Sequence, residues 1–78
     1  MKLDILSPEK RLFSGTVESV TMPGVLGSFT VLKNHAALIS ALQPGIVTYR
    51  LSDGEEQEVA INGGFAGVKN NLIAICAD

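Results

Sequence analysis

Turn-forming residues divide this chain into short segments of similar length. The breaks recur roughly every 8–12 residues, and the segments between them are rich in β-branched residues. The breaks fall at residues 7–10, Pro23-Gly24, Lys33-Asn34, Pro44-Gly45, Asp53-Gly54, Asn62-Gly63-Gly64 and Asn70-Asn71. Because short strands at this spacing are typical of a sandwich or a barrel, the pattern predicts an all-β fold.

Two of these breaks predict tight β-hairpins. Asp53-Gly54 is the strongest hairpin signal in the chain, because this dipeptide is typical of the turns that connect two antiparallel strands. Asn70-Asn71 predicts a second hairpin, since asparagine can adopt positive φ. The predicted strands are 46–51 and 55–61 for the first hairpin, and 65–69 and 72–77 for the second.

Two segments depart from simple alternation. In residues 12–22 the apolar side changes phase between Val17 and Val20, which predicts a bulge, a bend or a switch between sheets in the region of Gly15. Residues 36–42 contain alanines and two leucines spaced four apart, which is compatible with a helix. Isolated helices of this length are marginal, so we interpret the segment as a strand or as a loop leading into one.

Length and composition restrict what the chain can do. Its 78 residues form one domain, residues 1–78, and a domain this short buries only about 60% of the surface that its unfolded chain exposes. Cys76 is the single cysteine, so it has no intramolecular disulfide partner; together with the single histidine, His35, it falls short of the roughly four ligands of a closed zinc site. The net charge of −2 and scattered basic residues argue against nucleic-acid binding, and no apolar run approaches the ~20 residues that cross a bilayer.

The last predicted strand suggests that a partner covers part of the molecule. Its two faces are both apolar: Ile73 and Ile75 lie on one side, and Leu72, Ala74 and Cys76 lie on the other. Either this strand is central and buried on both faces, or something outside the chain packs on it. Residues 36–42 raise the same question because they contain no charged residue.

No set of residues predicts catalysis. His35 could act as a base, but no nucleophile lies in a recognisable motif, and neither Ser14 nor Ser40 has a flanking one. The glycines around residues 24–27 and 63–67 lack the lysine and helix of a phosphate-binding loop. Cys76 is interpreted as an inert thiol of the core. We therefore expect no catalytic, cofactor-binding or metal-binding residue.

Six segments, whose order and spacing extend over essentially the whole chain, form a characteristic series. They are residues 3–9, 12–17, 23–29, 33–45, 61–65 and 71–75. The most telling is 33–45, where His35-Ala36 precedes small hydrophobic residues and then Pro44-Gly45. Together these segments resemble the N-terminal domain of the ATP synthase epsilon subunit. The sequence departs from that family at Thr30, where many members have glycine, and at Ala37, where many have proline.

The resemblance implies both a fold and a role. The fold would be a ten-stranded β-sandwich of two antiparallel sheets. The chain would be a non-catalytic subunit of the central stalk, or rotor, of a proton-translocating ATP synthase. It would link the gamma subunit to the ring of c subunits and so couple proton flow to ATP synthesis. It would lie at the cytoplasmic face of a bacterial inner membrane as a peripheral component, meeting the membrane only through the complex.

The resemblance also assigns partner contacts. These are Gly27 and Ser28, in a loop facing the c ring, and Asn34, His35, Ala36, Leu38 and Ile39, near the ring and gamma. Ser28 stands at a position that is acidic in some members, which puts a charged contact there in question. Members commonly continue into a C-terminal helical hairpin where this sequence ends at Asp78, so we expect no ATP binding and no self-inhibition through that hairpin.

Two other hypotheses remain open from the sequence. A general β-sandwich adaptor or ligand-binding module would need a concave pocket lined by aromatic side chains, which make up only 5% of the residues. An enzyme would need a placed partner for His35. Purification in a stoichiometric complex with gamma would separate the rotor subunit from both.

Overall fold

Eight β-strands and no helix make up the computed structural model, which describes every residue from Met1 to Asp78. The strands are β1 (Lys2–Leu6), β2 (Arg11–Gly24), β3 (Gly27–Leu32), β4 (Leu38–Leu42), β5 (Gly45–Leu51), β6 (Glu56–Ile61), β7 (Gly64–Lys69) and β8 (Leu72–Ala77). The all-β prediction is confirmed, and residues 36–42 form the end of a loop followed by β4. No helix long and apolar enough to cross a membrane is present.

Both predicted hairpins form. β5 pairs antiparallel with β6, and β7 pairs antiparallel with β8. Asn70 and Asn71 connect β7 to β8 with φ values of 51° and 61°, and this left-handed backbone matches the twist of the two strands. In the other turn Gly54 supplies the positive φ of 89°, and the Asp53 carboxylate accepts a hydrogen bond from the N–H of Glu55.

Strand β2 belongs to both layers of the fold. Its first half pairs with β1, and its second half lies between β3 and β5. The register against β5 shifts between Val17 and Ser19, and such an irregularity bends a strand. The predicted phase change is therefore confirmed, and it lies at this register shift instead of at Gly15.

The strand count and sheet arrangement differ from the expectation. The structure has eight strands, not ten, and one reason is that β2 passes through its bend as one continuous strand of 14 residues. The sheets are mixed, not antiparallel, because β1 and β8 run parallel to each other. Parallel neighbours need a long connection, and here the connection is the whole chain between the first strand and the last. One layer holds β4, β7, β8, β1 and the first half of β2, and the other holds β3, the second half of β2, β5 and β6.

The core lies between these layers. It contains fifteen buried side chains: Leu3, Ile5, Val17, Val20, Met22, Val31, Leu42, Val47, Tyr49, Ile61, Ala66, Val68, Ile73, Ile75 and Ala77. The rings of Phe13 and Tyr49 pack together with their centres 4.3 Å apart, which joins the first half of β2 to β5. Burial of each large side chain contributes roughly 1.5–3 kcal/mol, so this core is the main source of stability.

Candidate partner-binding surface

The outer side of the layer containing β3, β5 and β6 is polar. The residues that point outward there are Ser19, Thr21, Thr30, Thr48, Arg50 and Glu58, and we call this surface the polar face. The hydroxyls of Thr21 and Thr30 are 2.7 Å apart, and Arg50 forms an ion pair with Glu56 at 3.6 Å. Ile46 and Leu32, which are 47% and 58% exposed, are the large apolar side chains on the outer side of this layer, and Leu32 lies opposite Ser19. The polar face is therefore suited to contact with water.

The outer side of the other layer is apolar. Strand alternation places Ile73 and Ile75 in the core and leaves Leu72, Ala74 and Cys76 exposed. The exposed residues Ile39, Phe65, Leu72, Ala74 and Cys76, with Gly67, form a surface that we call the apolar face. β8 is central, between β1 and β7, but only one of its faces is buried. The strand is therefore central, as one alternative from the sequence had it, but it is not buried on both faces. No part of this chain covers its outer face.

A shallow groove crosses the apolar face at right angles to the strands. Ile39, Gly67, Ala74 and Asp4 lie opposite one another on four successive strands. Ile39 is 85% exposed, whereas Gly67 has no side chain and no atom within 4 Å of the position of a Cβ. The two small residues form the floor, and the groove has a volume of about 960 Å³. It offers an apolar depression that a side chain from another molecule can enter.

Two lysines stand beside this groove. Leu72 pairs with Lys69 on one side and with Lys2 on the other, so the three residues form a row next to the groove floor. Arg50–Glu56 on the polar face is the single ion pair of the chain, and neither lysine takes part in it. Asp4 in the groove wall accepts a hydrogen bond from Ser14 Oγ at 2.5 Å. The groove therefore has an apolar floor and two free cations at its rim.

The turn between β2 and β3 adds a second apolar element. Leu26 is fully exposed at its tip and Val25 is half-exposed. The N–H of Val25 donates to the carbonyl oxygen of Ala41 at 3.0 Å, which fixes the turn against β4. A depression of about 410 Å³ lies between this turn and Ile39. The exposed apolar surface thus continues from the apolar face to the tip of this hairpin.

The loop between β3 and β4 is fixed by two asparagines. The N–H of Asn34 donates to Asn71 Oδ1 at 2.7 Å, and Asn71 Nδ2 donates to Asn34 Oδ1 at 3.2 Å. Asn34 has a φ of 64°, and the N–H of His35 donates to the carbonyl oxygen of Leu32. His35 Nδ1 lies 2.8 Å from the carbonyl oxygen of Ala36. These contacts give the loop a defined path into β4.

The predicted contact residues fall into two groups. Gly27, Ser28, Leu38 and Ile39 line the depression beside the β2–β3 turn. Asn34, His35 and Ala36 line neither depression and lie in the exposed loop that precedes β4. Leu38 also packs against the core, whereas Ile39 points into solvent.

Sequence reasoning missed Gly67, Phe65 and the two rim lysines. The position of the Asn70-Asn71 turn would have been enough to identify these residues. A two-residue turn pairs Lys69 with Leu72 and Phe65 with Cys76, and these registers are observed. The outward residues of β7 and β8 could therefore have been aligned from the position of this turn alone.

The prediction that Cys76 is a thiol of the core is wrong. Cys76 is exposed on the apolar face, because its neighbours Ile75 and Ala77 occupy the inward positions of β8. His35 hydrogen-bonds only with the backbone of Leu32 and Ala36, and no group of three potential metal-binding side chains occurs. Burial raises the pKa of the Tyr49 phenol, whose hydroxyl donates to Gln57 Oε1 at 3.1 Å.

Comparisons with known proteins point to one family. The profile of the family described as "ATP synthase, Delta/Epsilon chain, beta-sandwich domain" matches residues 1–78. The ATP synthase epsilon chain of a Nitratiruptor species is 45% identical over 71 residues, which are 91% of this chain and 55% of that protein. The epsilon chain of Maricaulis maris is 44% identical over all 78 residues, which are 58% of its length. The chain therefore spans a little over half the length of these curated relatives.

Two solved structures share the fold. A chain of the Euglena gracilis mitochondrial ATP synthase, from a cryo-EM structure of OSCP/F1/c-ring in rotational state 1, superposes with a TM-score of 0.90 at 25% identity, covering 96% of this chain and 48% of that one. A chain of the Tetrahymena thermophila mitochondrial ATP synthase central stalk and c-ring gives a TM-score of 0.81 at 19% identity, covering 97% of this chain and 61% of that one.

Proposed function

This chain belongs to the family of ATP synthase delta/epsilon chain β-sandwich domains, and on that premise we propose that it is a non-catalytic part of the rotor of a proton-translocating ATP synthase. It binds the gamma subunit and the ring of c subunits and helps to couple proton flow to ATP synthesis. Support comes from relatives that are epsilon chains and from a structural neighbour in an assembly that contains a c ring.

The observation that carries this proposal is the difference between the two outer faces. Both layers lie over the same core, yet one carries mainly hydroxyl and charged groups beside Leu32 and Ile46, whereas Ile39, Phe65 and Leu72 lie together on the other. Continuous exposed apolar surface of this kind marks a protein–protein contact. A permanent subunit of an assembly needs such a face, because its partner keeps the face out of water.

The two groups of predicted contact residues suggest a division between partners. We assign the β2–β3 turn, with Gly27 and Ser28, to the contact with the c ring. The loop of Asn34, His35 and Ala36, with the apolar residues Leu38 and Ile39 that follow it, lies near both the ring and gamma. Ile39 lies where the groove and the depression beside the turn meet, so one domain can touch both partners.

The same premise gives the location. A domain that binds the c ring lies next to the membrane in which the ring is embedded. We place this chain at the cytoplasmic face of a bacterial inner membrane, as a peripheral component held there by the complex. Its own polar face remains in water.

An acidic substitution on the apolar face tests the proposal. Ile39→Asp removes an exposed apolar contact without disturbing the core, so binding to purified gamma should fall at least about tenfold, as expected when a charge enters a desolvated contact. Ile46→Asp is the matched control, since it makes the same change at an exposed isoleucine on the other layer. Leu38 is a poorer site because its side chain packs against the core.

The pull-down uses wild-type chain and both variants at equal concentration, with circular dichroism to confirm the fold. Retention of the wild type and Ile46→Asp, with loss of Ile39→Asp, supports the proposal. Equal retention of all three would show that gamma does not bind this face, and failure of the wild type to bind gamma would remove the proposed function.

A further inference from the structure

The groove on the apolar face has a shape that restricts its occupant. Its floor is formed by Gly67 and Ala74, and it is bounded by Ile39 at one end and by Leu72 along one side. Adjacent strands are about 4.8 Å apart, so the gap over Gly67, between β4 and β8, is wide enough for one large side chain. A flat partner would leave this space empty and would lose the contacts of its lining.

Gly67 is not required by its own backbone. It does not adopt positive φ, and a Cβ built on it would meet nothing within 4 Å. Gly64, in the same strand, has a φ of 137° and lies against the backbone of Cys76 and Ala77. Folding therefore explains the glycine at 64 but not the one at 67. The open space above Gly67 instead fits a side chain contributed by a partner.

The charged side chains at the groove indicate which polar group the partner carries there. The chain is acidic overall, with a net charge of −2, yet the row beside the groove floor carries Lys2 and Lys69 without a bound acid. The acid of this groove, Asp4, is hydrogen-bonded to Ser14. Two lysines separated by Leu72 are complementary to a carboxylate that lies above this leucine.

We infer that the groove receives a segment of gamma in which a large apolar side chain sits over Gly67 and an acidic side chain faces Lys2 and Lys69. This inference rests on the proposed function and adds to it the chemistry of the partner. The apolar side chain provides the anchor, since a buried anchor in a pocket carries most of the binding energy of an interface. The lysines set the orientation of the segment and raise the rate of association.

The first test fills the groove from this side. Gly67→Val places a branched side chain where the partner's anchor would sit, and valine is favourable in a strand. Calorimetric titration of gamma into the full chain should show affinity reduced at least about tenfold for Gly67→Val and little changed for Gly67→Ala. Thermal unfolding of both variants checks that the fold is kept.

The second test reverses the charges. The double variant Lys2→Glu/Lys69→Glu should weaken gamma binding at least about tenfold at low salt, with a smaller loss at high salt because surface charges are screened. Lys10→Glu/Arg50→Glu is the matched control, since it changes the charge by the same amount at exposed residues of the β1–β2 connection and the polar face, away from the groove.

The results separate this inference from the proposed function. If wild type binds gamma, Gly67→Val binds at least about tenfold more weakly and the groove lysines matter more than the control residues, the inference holds. If wild type and Gly67→Val bind gamma equally, or both double variants weaken binding equally, the inference is overturned and the proposed function stands. If wild type does not bind gamma, both are overturned.

Discussion

Ile39 lies directly opposite Gly67 in the ladder between β4 and β7. An isoleucine that is 85% exposed therefore borders a residue without a side chain, and one of its flanks is left bare. In a sheet that faces water, a neighbour with a long polar side chain would normally cover part of such a residue. The pairing of Ile39 with Gly67 instead creates a ridge and a hollow, which is the shape of a surface that meets another protein.

The two glycines of β7 should respond differently to substitution. Gly64→Ala should lower the free energy of unfolding by at least about 2 kcal/mol, because it combines a positive φ with a Cβ that would overlap the carbonyl oxygen of Cys76. Gly67→Ala should be neutral or slightly stabilising, by up to about 1 kcal/mol, since alanine restricts the unfolded chain and fits the strand. Urea denaturation followed by circular dichroism measures both, and similar losses in the two variants would contradict the assigned roles.

Substitutions at two neighbouring positions of β8 should also have different effects on stability. Ile75→Ala removes side-chain volume from a fully buried site and should cost about 2–5 kcal/mol. A domain of this size has a total stability of about 4–12 kcal/mol, so that loss is a large part of the whole. Cys76→Ala, at the next position, should change stability by less than about 0.5 kcal/mol because the thiol is exposed. A large loss for Cys76→Ala in the free chain would show that its side chain is packed.

The bridge between Asn34 and Asn71 should control the loop before β4. Asn71→Gly keeps the positive φ of the turn but removes both hydrogen bonds to Asn34, so it should cost about 0.5–1.5 kcal/mol. Amide hydrogen exchange gives a sharper readout. The N–H of Asn34 should lose protection, while that of His35, which donates to Leu32, should change less.

Asn70→Gly is the control for that experiment. Asn70 lies in the same turn with a φ of 51°, but its side chain forms no hydrogen bond with another residue. Its substitution should leave the exchange of the Asn34 amide unchanged. Equal exchange of that amide in Asn71→Gly and in the wild type would show that the bridge does not hold the loop.

Tyr49 should make stability fall at alkaline pH. Burial raises the pKa of its phenol above 10.0, so the folded chain keeps the proton where the unfolded chain has lost it. The unfolded state then binds fewer protons, and the free energy of unfolding decreases as pH rises through about 10 towards the higher folded pKa. Below that pH range the phenol is protonated in both the folded and the unfolded chain, so Tyr49 does not make the free energy of unfolding change with pH. Denaturation at several pH values should show less decline in Tyr49→Phe, and an identical decline would exclude Tyr49 as its cause.

The parts of the fold that follow from local chemistry could be predicted. Asp53-Gly54 and Asn70-Asn71 define their hairpins because few residues tolerate the backbone of such turns. The phase change between Val17 and Val20 identified the bend of β2, since a strand can change its buried side only through an irregularity. These signals lie within a few residues of their effects.

Features that depend on distant contacts could not be predicted in this way. The parallel pairing of β1 with β8 joins the two ends of the chain, and nothing in either segment specifies the other. The exposure of Cys76 required knowing that Ile73 and Ile75 face the core. Likewise, the sequence could not separate Leu38 from Ile39, although one contacts the core and the other points into solvent.

The single cysteine of the chain allows the central claim to be measured directly. Cys76 lies on the apolar face, paired with Phe65 on β7 and with Leu6 on β1, so its thiol reports whether that face is covered. The measurement is the rate at which a maleimide reacts with Cys76 in the free chain and in the presence of saturating gamma. Thr48→Cys in a Cys76→Ala background places the control thiol on the polar face.

We expect gamma to slow the reaction of Cys76 at least about tenfold, as burial in an interface would, while the thiol at position 48 reacts at the same rate with and without gamma. Unchanged reactivity of Cys76 in a chain saturated with gamma would contradict the account, because the apolar face would then remain open to solvent in the complex.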